Sequence, residues 1–179
     1  MSKNIVVLSG SPRRDGNTDK LVDAFVKGAE SEGKHVDIFH VADMKIGGCL
    51  GCGHCFESKG VCIQEDDMVQ ILAALRKAEV FVLASPIYFF SVTAQLKLAI
   101  DRTYAQLRDK PPIKQAAMLL TCGANEARIT EGAVAMYNNM CNFSKWESAG
   151  VIVASGLHAK DEIKGRNELD KATELGKEI

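Results

Sequence analysis

The sequence predicts an α/β protein: a doubly wound parallel sheet of five strands with helices on both faces. Three observations carry this. Five short apolar runs, at 4–8, 36–41, 80–84, 116–121 and 151–154, have the length and composition of strands. Between them lie longer stretches with apolar residues at helical spacing. The two types alternate throughout, which calls for parallel strands joined by right-handed crossovers, with helices on both sides.

Residues 4–8, Asn-Ile-Val-Val-Leu, form a nearly continuous apolar run, as expected of a strand buried on both faces. After a turn over 9–18, Leu21, Val22, Phe25, Val26 and Ala29 recur on one helical face, and Gly33 closes that helix. Residues 36–41 alternate as a second strand. Residues 44–66 are irregular, rich in Gly and Cys, and too long for a plain connection, so a function is expected there. Asp66 and Asp67 stand where carboxylates suit the start of a helix, followed by Met68, Ile71, Leu72 and Leu75 on one face. A third strand at 80–84 precedes a helix over 93–107, with Leu96, Ala99, Ile100 and Thr103 in register. Pro111 and Pro112 punctuate before the fourth strand. A helix over 128–143, the fifth strand and a polar amphipathic helix from Asn167 follow.

The chain has 179 residues, and 1–179 reads as a single domain with a Cys-rich loop at 45–65. A hydrophobic fraction of 46% and a charged fraction of 25% allow a sizeable core. Net charge is −1 with the signs interleaved, which argues against nucleic acid and against a polybasic membrane patch. No leader-like segment stands out, and no apolar run approaches the ~20 residues that cross a bilayer. The cytoplasm is therefore the expected compartment. Disulfides are rare there, so six cysteines, four of them between Cys49 and Cys62, need another explanation.

In a doubly wound sheet, ligands bind beyond the carboxyl ends of the strands. After the first strand come Ser9, Gly10, Ser11, Pro12, Arg13, Arg14, Asp15, Gly16, Asn17 and Thr18. A turn rich in hydroxyls and Gly that leads into a helix is a ready anion site, and Arg13 or Arg14 adds charge-assisted bonds. A P-loop needs four residues between its glycines and then Lys; here five intervene and Asn17 follows Gly16. Ser11-Pro12 interrupts the dinucleotide fingerprint, and a receiver domain would need acidic residues where this chain has Ser and Pro. A capped helix, with Asn17 or Thr18 as N-cap, leaves both arginines unexplained. A phosphate is the better reading.

The segment from Gly10 to Thr18 resembles the phosphate loop of NAD(P)H-dependent FMN reductases and their iron–sulfur flavoprotein relatives. Residues 85–91, Ser-Pro-Ile-Tyr-Phe-Phe-Ser, followed by Thr93-Ala94-Gln95-Leu96-Lys97, are similar to that family's second flavin segment. Residues 150–177 resemble its C-terminal strand and helix. The likeness covers essentially the whole chain. It implies a flavodoxin-like sheet of order 2-1-3-4-5, bound FMN, and NAD(P)H as electron donor.

FMN needs an anion site at one end and a flat, partly apolar slot for its ring. The expected contacts in the first loop are Ser9, Ser11, Pro12, Arg13, Arg14, Gly16, Asn17 and Thr18. Pro86, Ile87, Tyr88 and Phe89 follow the third strand and offer backbone groups and aromatic faces to the ring edge. Thr121, Cys122 and Gly123, after the fourth strand, form the third expected contact, where Gly permits close backbone approach. Cys122 reads as a wall residue, with no His adjacent in sequence. Flavin carries the redox chemistry, so no side chain is assigned a catalytic role.

Cys49, Cys52, Cys55 and Cys62 are spaced by two, two and six residues. Four thiolates suit a [4Fe–4S] cluster, with Gly47, Gly48, Gly51 and Gly53 letting the loop wrap it. The spacing resembles that of iron–sulfur flavoproteins and differs from the bacterial ferredoxin run. Zinc with four thiolates and a set of free thiols remain open. His54 reads as a surface residue. The function expected is an FMN-dependent oxidoreductase passing electrons from NAD(P)H to a small acceptor, a quinone or flavin. The alternative is a carrier using FMN and a cluster between protein partners; a sensor without flavin is a third. Apolar surface over 88–107 predicts a homo-oligomer, a dimer or tetramer.

Overall fold

Strand β1 (Asn4–Ser9) sits inside the sheet because both of its faces are apolar: Ile5 and Val7 join one core, Val6 and Leu8 the other. The computed structural model describes residues 3–179. Helix α1 (Asn17–Ser31) follows, then β2 (His35–His40), a one-turn α2 (His54–Glu57), α3 (Met68–Leu75), β3 (Val80–Pro86) and α4 (Ala94–Arg102). The chain continues through β4 (Gln115–Thr121), α5 (Glu131–Ser144), β5 (Glu147–Ala154) and α6 (Asn167–Glu178). All strand pairs are parallel, in the order β2-β1-β3-β4-β5. This is the flavodoxin-like sheet that the sequence predicts.

Alternation along the inner strands divides the core in two. Phe81 and Leu83 of β3 face α3, α4 and α5, while Val80, Val82 and Ala84 face α1 and α6. Helices α1 and α6 touch at two glycines. A Cβ on Gly28 would land on the Thr173 carbonyl, and one on Gly176 on the Phe25 carbonyl. On the other face, buried Tyr137 of α5 donates to the Ala116 carbonyl at 2.7 Å and meets Ser148 Oγ at 2.8 Å. That ties α5 to β4 and β5 beside a register shift at Ala116/Ala117. Burial pushes the Tyr137 phenol well above its usual pKa.

Several boundaries differ from the sequence reading. The helix expected over 93–107 ends at Arg102 and tightens into a 3-10 turn, Thr103–Leu107, where the Thr103 hydroxyl bonds back to the Ile100 carbonyl. The fifth strand begins at Glu147, four residues early, because Glu147 N–H pairs with the Lys114 carbonyl; its first residues are polar and exposed at the sheet edge. Neither Asn17 nor Thr18 is the N-cap of α1. Gly16 holds that place, with no side chain capping the helix. Among the described residues no helix is long and apolar enough to cross a membrane.

Candidate functional site

Strand order reverses between β1 and β3, and there the loops beyond the strands part to leave a cleft. It has a volume of about 230 Å³. Its walls are Ser11, Arg13, Gly16, Asn17 and Thr18 from the first loop, Pro86, Ile87 and Tyr88 from the second, and Thr121, Cys122 and Gly123 from the third. Three segments distant in sequence thus meet at one place.

The first loop is held from below. Thr93, the N-cap of α4, donates its hydroxyl to the Gly10 carbonyl at 2.8 Å and accepts from Leu96 N–H. A Cβ on Gly10 would stand 2.6 Å from Leu96 Cβ and Thr93 Oγ1, so only glycine lets β1 pass this close to α4. Ser11 Oγ closes a small turn with the backbone of Arg13. Asp15, at φ 53°, donates its N–H to Asp19 Oδ2 at 2.8 Å. Thr18 Oγ1 meets Thr121 Oγ1 at 2.7 Å, a buried bond between α1 and β4. With Gly16 as N-cap, the first-turn N–H groups of α1 have no side-chain partner, which leaves a positive helix end at the cleft.

Other predicted residues are directed elsewhere. Arg14 pairs with Asp43 at 3.2 Å and does not line the cleft. Pro12 is exposed beside the cleft, outside its lining. Ser9 Oγ is buried below the loop without a hydrogen-bond partner. Asn17 lines the cleft, but its side chain donates to the Ala159 carbonyl and accepts from Ile163 N–H. With the Lys20–Asp161 ion pair at 2.8 Å, it fastens the loop after β5 across the start of α1.

The second loop corrects an expectation. Ile87 N–H donates to the Thr121 carbonyl, extending the β3–β4 ladder, and Tyr88 N–H donates to the Ser91 carbonyl, closing a tight turn. These two N–H groups are therefore not open to a flavin edge; Pro86, Ile87 and Tyr88 offer side-chain surface. At the turn's tip Phe89 and Phe90 adopt φ of 48° and 71°. Such backbone costs a bulky residue about 1 kcal/mol or more, so the surroundings must impose it. Gly132 leaves room for the turn, since a Cβ there would stand 2.7 Å from the Phe90 carbonyl. Phe89 is 94% exposed and outside the lining.

In the third loop, Cys122 Sγ lies 3.2 Å from the Ala124 carbonyl and 3.5 Å from Ser155 Oγ. It is a buried wall. The sequence reading missed Leu157 and His158, which complete the cleft from the loop after β5; the imidazole lies over Gly123, where a Cβ would be 3.2 Å from Nδ1. The signal was available, because these residues too follow a strand at the carboxyl edge.

A second hollow, of about 580 Å³, is lined by all four clustered cysteines together with Arg102 and Tyr104. Among the described residues no three His, Cys, Asp or Glu side chains converge enough to hold a metal ion, and all four thiols are free. Burial, its largest influence, and the neighbouring Cys62, Cys49 and Cys52 push the Cys55 thiol up. The donor set fits a thiolate-ligated group in chemistry: four sulfurs share one hollow on a glycine-rich loop, with Gly51 and Gly53 at φ of 62° and 75°. Loading it requires the loop to draw the sulfurs together. A larger groove of about 830 Å³, lined by residues such as Tyr104, Phe143 and Trp146, is mostly apolar and has no arginine in its lining.

Comparison with known proteins agrees with this geometry. An iron–sulfur flavoprotein of Archaeoglobus fulgidus is 34% identical over 177 residues, 97% of this chain and 77% of the relative. An iron–sulfur flavoprotein of Methanocaldococcus jannaschii is 38% identical over 111 residues, 59% of this chain and 57% of its own length. The structure of an NAD(P)H:quinone oxidoreductase from Methanothermobacter marburgensis superposes with a TM-score of 0.80 at 17% identity, covering 99% of this chain and 96% of that one. The family model described as NADPH-dependent FMN reductase matches residues 3–154. With the parallel sheet of order 2-1-3-4-5 and the cleft at its switch point, this match places the chain in the NADPH-dependent FMN reductase family of oxidoreductases.

Proposed function

We propose that the chain holds FMN in the switch-point cleft and passes electrons from NAD(P)H through it to a small acceptor, a quinone or flavin. One observation carries this: the cleft is walled by the open, positive end of α1 with Arg13 and Thr18 from the first loop, and by Pro86, Ile87, Tyr88 and Gly123 from the second and third. These features suit a phosphate on one side and a flat ring on the other.

FMN, when bound, supplies the redox chemistry, taking a hydride from a nicotinamide and releasing electrons onward. The chain's own residues bind and orient. Ser11, Arg13, Gly16 and Thr18 grip the phosphate end, Asn17 holds the outer loop in place, and Thr121, Cys122 and Gly123 border the ring. Steady-state oxidation of NADH and NADPH by the FMN-loaded protein, with a quinone added, tests the proposal. Turnover that needs both FMN and acceptor is expected; electron transfer only to a protein partner would overturn it.

The cleft falls below the ~300 Å³ at which enclosed ligand sites begin, so it surrounds only part of an FMN. Tyr88, Phe89 and Phe90 stand exposed beside it. A second copy of the chain covering this surface is the reading we favour. Sedimentation as a dimer or tetramer is expected, and a monomer at micromolar concentration would refute it.

The shared hollow of four cysteines favours a second reading, a carrier that uses FMN and an iron–sulfur cluster between protein partners. The iron–sulfur flavoprotein relatives support it. Anaerobically purified protein would then hold about four irons per chain, and flavin without iron would remove this reading while leaving the first.

A further inference from the structure

Arg102 lies at the end of α4 with its side chain 1% exposed, the most deeply buried charge in any of the ion pairs found among the described residues. Its guanidinium takes Asp66 with two bonds, of 2.8 and 3.0 Å, and donates to the Gly47 carbonyl at 2.9 Å and the Gln64 carbonyl at 3.4 Å. Asp66 in turn accepts from the N–H groups of Gly47 and Met68. One side chain therefore fastens both ends of the segment that carries all four clustered cysteines.

Two further observations point inward. Arg102 lines the cysteine hollow, and its Nε is buried with no hydrogen-bond partner. A loop needs no buried cation merely to be tied down, since carbonyls and amides could close it at a lower desolvation cost. A hollow of four thiolates gains from one, because a nearby positive charge favours gathering negative sulfurs in a partly dry site.

We propose that Arg102 is the built-in counter-cation of the cysteine hollow: it clamps the loop and balances the negative charge of an iron–sulfur group held there, so raising that group's reduction potential. This rests on the second reading above. Net charge and hydrogen bonds to sulfur are among the factors that set such potentials. Asp66, bonded to the same guanidinium, offsets part of that positive charge.

The two partners give a test that separates charge from mere support. Wild type, R102M, R102K and D66N are reconstituted with iron and sulfide under anaerobic conditions, with FMN binding as the check that each is folded. Iron per chain and the midpoint potential of the iron–sulfur signal are then measured. Both R102M and D66N loosen the clamp, so a supporting role alone moves their potentials the same way or not at all. Charge balance moves them in opposite directions: R102M negative of wild type, D66N positive, with R102K near wild type but retaining several-fold less iron. If R102M no longer binds FMN, R102Q, which also removes the charge, takes its place beside D66N. Shifts of one sign, or none, overturn the inference and leave the iron–sulfur reading standing. Wild type that binds FMN yet takes up no iron overturns both.

Discussion

The hydroxyls of Thr18 and Thr121 meet at 2.7 Å and tie the first turn of α1 to the end of β4 in the wall of the cleft. Both side chains are almost wholly buried. Removing one leaves the other unpaired, which costs about 1–3 kcal/mol. T18V is expected to melt earlier than wild type and to bind FMN roughly tenfold more weakly, a change of about 1.4 kcal/mol. The double variant T18V/T121V should recover part of the lost stability, because no unpaired hydroxyl remains. Thermal melts and flavin titrations of the three proteins measure this.

Neighbouring arginines should behave differently. Arg13 lines the cleft, whereas Arg14 pairs with Asp43. R13A is expected to weaken FMN by roughly ten- to a hundredfold, the value of a charge-assisted bond, and to leave riboflavin binding unchanged. R14A should stay within about threefold of wild type, since an exposed ion pair contributes little. Fluorescence quenching with each flavin separates the two.

Acid should loosen the cysteine loop through Asp66. Burial alone would raise its carboxyl, but bonds from Arg102, Gly47 and Met68 outweigh that and hold it below the ordinary carboxylate range. A carboxylate with a depressed folded pKa stabilises the native state above the unfolded value of about 4 and loses that contribution as pH falls through the folded value. The melting temperature is expected to fall progressively as the pH is lowered from about 5. D66N should start lower at neutral pH and lose less over the same interval.

Close contact between α1 and α6 makes two glycines intolerant of a methyl group. In G28A the new Cβ meets the Thr173 carbonyl, and in G176A the Phe25 carbonyl. Overpacking of this kind costs roughly 1–3 kcal/mol, or about 2–12 °C in melting temperature for a domain of this size. Differential scanning calorimetry checks the expectation, and G33A, where a Cβ meets nothing but φ is 74°, is a useful contrast.

The strands were legible because both faces of β1, β3 and β4 are buried, which writes continuous apolar runs into the sequence. The first half of β5 was not, since Glu147 and Ser148 carry no apolar signature at an exposed edge. Thr18 and the arginine pair could be picked out from composition and position alone. Which arginine faces the cleft depends on Asp43, a residue 29 positions beyond Arg14, and local pattern cannot supply that pairing. In sequence Arg102 falls inside the helix expected over 93–107; only the fold shows that it ends that helix and is buried against the cysteine loop. Leu157 and His158 lie outside any motif and reach the cleft through the bonds of Asn17 and Lys20.

Titration of the purified chain with FMN and with riboflavin, followed by flavin fluorescence, reaches the central claim most directly. Saturable quenching at one FMN per chain, with riboflavin much weaker, is the result expected of a cleft that grips a terminal phosphate. Emission that stays unchanged as the chain is added, or equal binding of both flavins, would contradict it.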